Sequence, residues 1–170
     1  MGGMKKRRLI YPVLLLALMG TIFWFSSQVG DDSDETSGGL TAAAAHLFVQ
    51  DLDSFDPQIQ TQVIDSFAFI VRKTAHFCEY ALMGCLWYLW LRNRKFAPLI
   101  GLGASAAYAA TDELHQTLVP GRSGELRDVL VDSVGAAAGI LFAFILLSVI
   151  WCVTHRDVQK WGTWNDNERK

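Results

Sequence analysis

The sequence predicts an all-α fold, a polytopic membrane bundle of four transmembrane helices with a partly helical extracytoplasmic loop. Three observations predict it. Hydrophobic residues make up 51% of the 170 residues, and mean hydropathy is positive at +0.22. The apolar residues gather into segments near 9–26, 74–91, 96–113 and 129–153, close to the ~17 to 25 helical residues that cross a hydrocarbon core of ~30 Å. Finally, the net charge of only −2 hides a strong segregation of basic from acidic stretches.

The N-terminus, 1–8, carries Lys5, Lys6, Arg7 and Arg8, and basic flanks stay on the cytoplasmic side. The span 9–26 is apolar apart from Gly20 and Thr21. Its basic start suits a secretory signal, but the run is long and no A-x-A precedes Gln28, so a retained anchor is expected. From Ser27 to Val71 there are eight acidic residues and no Lys or Arg, which places this loop outside. Within it Gly30–Gly39 reads as a flexible turn, whereas Leu40–Val49 and Pro57–Val71 show helical spacing. Pro57 suits a first helical turn, and the helix it opens should run directly into the second span.

That span returns to Arg92, Arg94 and Lys95 on the inside. The third segment is short, and extending it through Asp112 and Glu113 gives it the needed length. Pro120-Gly121 and Gly124 then predict a sharp turn, with Arg122 and Arg127 outside against the charge rule. After the fourth span, the polar tail 154–170 is expected in the cytoplasm, with Trp161 and Trp164 at the interface and Asn165–Lys170 frayed. The expected organisation is thus one membrane domain, 9–153, with both termini cytoplasmic.

Ionisable residues crowd the ends of these spans. Residues three and four apart share a helix face, so Arg72, Lys73, His76, Glu79, Tyr80 and Met83 form a stripe descending into the second span. Gly101, Ser105, Tyr108 and Asp112 line the third, with Glu113, His115 and Gln116 continuing it. Asp128, Asp132, Gly135 and Gly139 line the fourth, and Gly135-Ala-Ala-Ala-Gly139 is a small-xxx-small pattern that permits close helix approach. Lipid cannot solvate such charge, so the stripes should turn toward one another and make a polar site on the outer side.

Lys73 and Arg122 are suited to a carboxylate or phosphate, with Arg72, Gln116 and Asp132 beside them. His76 with Glu79, and Asp112 with His115, are candidate proton-transfer pairs, and Glu113 and Asp128 complete the candidate catalytic set. The bland alternative is that these charges only snorkel or lock helices together. Three cysteines without a CxxC give no thiolate zinc site, and no HExxH appears, so metal and cofactor stay unknown. Alternating charge blocks exclude a nucleic-acid surface, which needs one continuous basic face.

At these residues the chain resembles the VanZ-like family of bacterial integral membrane proteins. The matching strings are Arg72-Lys73-Thr74-Ala75-His76-Phe77-Cys78-Glu79-Tyr80-Ala81-Leu82 and Thr111-Asp112-Glu113-Leu114-His115-Gln116. Val119-Pro120-Gly121-Arg122, Asp128 and the two glycines follow, and Phe25-Ser26-Ser27 also fits. The resemblance runs from the first span to about Ile150. It implies a location in the bacterial cytoplasmic membrane, membrane lipids as partners, and action on an anionic envelope component such as a lipid-linked wall precursor or a lipoglycopeptide. A link to low-level teicoplanin resistance comes with it. So does a site at Lys73, His76, Glu79, Asp112, Glu113, Gln116, Arg122 and Asp128. Asp132 departs from the family pattern, which tends to have Asn there.

Overall fold

The computed structural model describes residues 2–28 and 30–167, with side chains at 9–28 and 38–155. It is helical throughout: α1 (Gly2–Ser26), α2 (Gly30–Phe48), a short 3-10 turn (Leu52–Ser54), α3 (Pro57–Leu91), α4 (Ala97–Gln116) and α5 (Leu126–Asn167). No strand occurs among the described residues.

Local chemistry explains the boundaries. Asp56 caps α3, its carboxylate accepting from the Gln58 amide at 2.8 Å, and Pro57 occupies the first turn, where its missing N–H costs nothing. From there α3 runs unbroken for 35 residues, about 52 Å at ~1.5 Å per residue. The loop helix and the second apolar segment are therefore one rod, as the spacing predicts. Pro98 lies in the first turn of α4, and Gly121, at φ 77°, makes the turn that returns the chain to α5.

Two boundaries differ from the expectation. Gly30–Gly39, read as a flexible turn, belongs to α2. The run Ala42–Ala45 is a strong helix former, and burial of Thr41 and Ala45, with Phe48 stacked on Phe67 at 6.2 Å, fastens the helix to α3. The tail from 154 is helical as far as Asn167, since α5 continues through it. Residues 165–167, expected to fray, are thus helical, and 168–170 lie outside the described residues. The side chains of Lys5–Arg8, Asp31–Glu35, Trp161 and Trp164 also lie outside them.

Side-chain pairings give the helix directions. Lys73 meets Asp128 and His76 meets Asp132, while Gly135 lies on Phe77 and Gly139 on Ala81. Positions advance together, so α3 and α5 run parallel, with α4 returning antiparallel beside them. Met19 meets Tyr108, and Ser26 meets Asp112, so α1 runs parallel to α4. Leu15 and Ile22 of α1 share a buried cluster with Tyr80, Met83, Leu86 and Ala109. This first helix is part of the core.

Backbones touch at the α3–α5 seam. A methyl group added to Gly139 would overlap the Ala81 carbonyl oxygen, and one on Gly84 would overlap that of Ala136. Gly139→Ala should therefore force the helices apart and cost about 1–3 kcal/mol, whereas Gly103→Ala, with open space around it, should be harmless. Thermal unfolding of both variants in detergent checks this; equal melting points would mean the seam is loose.

Polarity is distributed inside out. Leu130, Val134, Leu141 and Phe142 of α5 are 58–63% exposed, while Asp132 on the same helix is 1% exposed. Two helices are long and apolar enough to cross a membrane by length and composition, in the windows Leu9–Ser26 and Leu126–His155. The other two predicted spans are not among them, since α3 and α4 carry Glu79, Asp112 and Glu113 within their apolar stretches.

Candidate functional site: a buried polar cluster

The helix directions bring the polar ends together. The C-terminal end of α1, the middle of α3, the C-terminal end of α4 and the N-terminal end of α5 all meet at one end of the bundle. Each supplies polar side chains there.

At the rim, the Lys73 ammonium is paired with the Asp128 carboxylate, their side chains 25% and 12% exposed. Lys73 also stands 5.2 Å from the centre of the Phe69 ring, a cation–π distance. One turn deeper, His76 Nδ1 lies 3.7 Å from Asp132 Oδ2. This is an ion-pair distance but too long for a hydrogen bond. Both Asp132 oxygens are buried without a protein hydrogen-bond partner.

Asp112 faces this pair from α4. Its Oδ2 accepts from Ser26 Oγ at 2.8 Å and from Gln116 Nε2 at 3.1 Å. Its Oδ1 has no protein partner, and neither does the hydroxyl of the fully buried Tyr80. The charges of His76, Glu79, Asp112 and Asp132 act on one another, so these four groups form one electrostatic unit. Tyr108, by contrast, turns toward α1 and donates to the Met19 carbonyl at 2.6 Å.

Glu113 has a fastening position. Its Oε2 accepts from the Glu125 amide at 2.9 Å and its Oε1 from Gln116 Nε2 at 3.3 Å. A carboxylate of α4 thereby holds the loop entering α5, and a methyl at Gly124 would overlap the Glu113 carbonyl oxygen. That loop carries Arg122, half-buried. Gln116, expected beside a ligand, ties Asp112 to Glu113.

The structure thus gathers Lys73, His76, Glu79, Asp112, Glu113, Gln116, Asp128 and Asp132, as the stripes predict. It does not join His115 to Asp112. The His115 ring packs on Phe23 of α1 at 4.5 Å, because residues three apart diverge by ~60° around the helix and α1 fills that side. Among the described residues two grooves open along α3 and α5, one of about 360 Å³ lined by Ala81, Cys85, Gly139 and Phe142, the other of about 240 Å³ around Tyr88 and Trp151. Neither of these two reaches the cluster. Ser26 and Tyr80 were not among the predicted site residues. Tyr80 is four residues from His76 and shares its face, whereas Ser26, at the end of an apolar run, is marked only by the family-like string Phe25-Ser26-Ser27.

Chemically, the cluster offers a cation at the rim, a histidine between carboxylates, and several acceptors awaiting donors. Among the described residues no group of three or more His, Cys, Asp or Glu is arranged to hold a metal ion. Such an arrangement, in an inside-out helical bundle, defines a class: a helical protein with a buried ionisable centre and an apolar outer surface. The VanZ/LLP1 family matches residues 11–148, and the chain belongs to it. No curated protein and no solved structure matches.

Proposed function

We propose that this chain is a four-span protein of the bacterial cytoplasmic membrane whose polar end faces the extracytoplasmic side and acts on an anionic envelope component. Candidate ligands are a phospholipid or a lipid-linked wall precursor. Lys73 and Arg122 receive the phosphate or carboxylate, and Arg72 stands beside Lys73. His76, set between Glu79 and Asp132, is the proton acceptor or donor, and Asp112 is the second acid. Glu113 and Gln116 hold the frame, and Asp128 keeps Lys73 in place.

One observation carries this reading. Tyr80, Asp112 and Asp132 are buried from three different helices with oxygens that no protein donor satisfies. Charges kept only to lock helices would be paired, since an unsatisfied buried polar group costs about 1–3 kcal/mol. Stability is being given up where the helices converge, as at a site awaiting a ligand.

The orientation rests on Arg92, Arg94 and Lys95, which occupy the α3–α4 turn at the end opposite the cluster. In a background without the native cysteines, cysteine at Ser123 should react with an impermeant maleimide on intact cells. Cysteine at Asn93 should react only after permeabilisation. The reverse pattern would put the site in the cytoplasm and end this reading.

Teicoplanin tolerance supplies a cellular readout. His76→Gln should abolish any tolerance the chain confers while protein level stays normal. Should the variant match the parent, His76 moves no proton, and the site holds or relocates its ligand without bond chemistry.

A further inference from the structure

The rim and the interior of the cluster ask for opposite ligand chemistry. At the rim, the Lys73 ammonium meets an anion. Inside, the unsatisfied atoms are both oxygens of Asp132, Oδ1 of Asp112, the Tyr80 hydroxyl and Nδ1 of His76; Asp132, Asp112 and Tyr80 are at most 3% exposed. Around Asp132 stand His76 at 3.7 Å, Asp112 across from α4 and Asp128 on its own helix. Glu79 of α3 and Glu113 of α4 also act on this group. A phosphate oxygen there would face carboxylates. The buried carboxylate oxygens of Asp112 and Asp132 call for a donor, not for another acceptor.

We propose that the ligand is a phospholipid whose headgroup carries a primary ammonium as well as its phosphate, and that Asp132 selects for the ammonium. This rests on the headgroup reading given under Proposed function and narrows it. An ammonium has three N–H donors, as on lysine. Those donors match carboxylate oxygens of α4 and α5 and the tyrosine oxygen of α3. Asp128, which holds the rim cation, stands one turn above Asp132, about 6 Å along the helix. That is the reach of a short amino-alcohol headgroup, with phosphate at Lys73 and ammonium below. A quaternary ammonium has no N–H to give and fits worse, and a glycerol headgroup brings no charge.

The test uses the purified full chain in detergent, with lipid binding followed by the rise in melting temperature on adding phosphatidylethanolamine, phosphatidylglycerol or phosphatidylcholine. The first should bind about tenfold more tightly than the other two. Asp132→Asn should erase that preference, and Tyr80→Phe should reduce it several-fold, which keeps the test alive if the former folds poorly. Replacing both members of the rim pair, Lys73→Met with Asp128→Leu, should weaken all three lipids alike. Equal binding of the three by the parent chain, still lost in the rim variant, overturns the ammonium assignment and leaves the headgroup reading standing. Binding insensitive to the rim variant overturns both. If sodium chloride alone stabilises the parent chain through Asp132 and no lipid preference exists, the interior is a site for a free cation and the proposal is wrong.

Discussion

Lys73→Met should leave little folded protein in the membrane, whereas Lys73→Met combined with Asp128→Leu should restore it. The single change strands the Asp128 carboxylate, 12% exposed, beside an apolar side chain. Removing one partner of a buried pair costs about 3–5 kcal/mol. Lys73 keeps a quarter of its surface, so solvent screening brings the expectation to the lower end, about 3 kcal/mol. That is a large share of the ~5–15 kcal/mol that holds a typical domain together. The double change removes both charges and leaves two apolar groups at the top of a seam that already packs through Gly135 and Gly139, so it should unfold near the parent temperature. Function should not return with the fold, because the rim cation is gone. Membrane abundance, melting temperature in detergent and cellular tolerance together read this out. A single variant as stable as the parent would show that Lys73 merely snorkels to the interface and that its pairing contributes nothing.

The parts of this arrangement that follow helical periodicity are legible in the sequence. Lys73, His76 and Glu79 descend one face, Asp128 and Asp132 another, and Gly135 and Gly139 continue the second at the spacing that close packing needs. Pro57 marks the start of α3 because its physics is local. What periodicity cannot supply is which neighbour each face meets. Ser26 reaches Asp112 across 86 positions, through the insertion of α1 beside α4. The same insertion turns His115 onto Phe23, so a pairing that looked natural along α4 is replaced by one across helices. Glu113, a candidate catalytic residue, also accepts from the Glu125 amide and so clasps a loop whose course only the fold reveals. The helix over Gly30–Gly39 escaped because glycine and acid residues suggest a turn, while the alanines that follow and the contact with α3 carry it instead.

Asp112→Asn should separate architecture from chemistry. The amide is the size of the carboxylate, and its oxygen can still accept from Ser26 and Gln116, the two donors that hold Asp112 in place. Its NH₂ then takes the position of Oδ1, which has no protein partner to lose. Stability should fall by less than about 1 kcal/mol, or rise, since a buried charge has been removed from beside other acids. If Asp112 is the second acid of a proton-transferring site, activity should drop by about 10²–10⁴-fold at normal protein level. If the cluster were only a set of interhelical locks, the outcome would be opposite. Loss of a locking charge would then show in melting temperature and abundance, and tolerance would fall only as far as protein abundance does. Measuring melting temperature, abundance and tolerance on the same variant decides between the two, because the structural account cannot produce a stable chain that has lost its function.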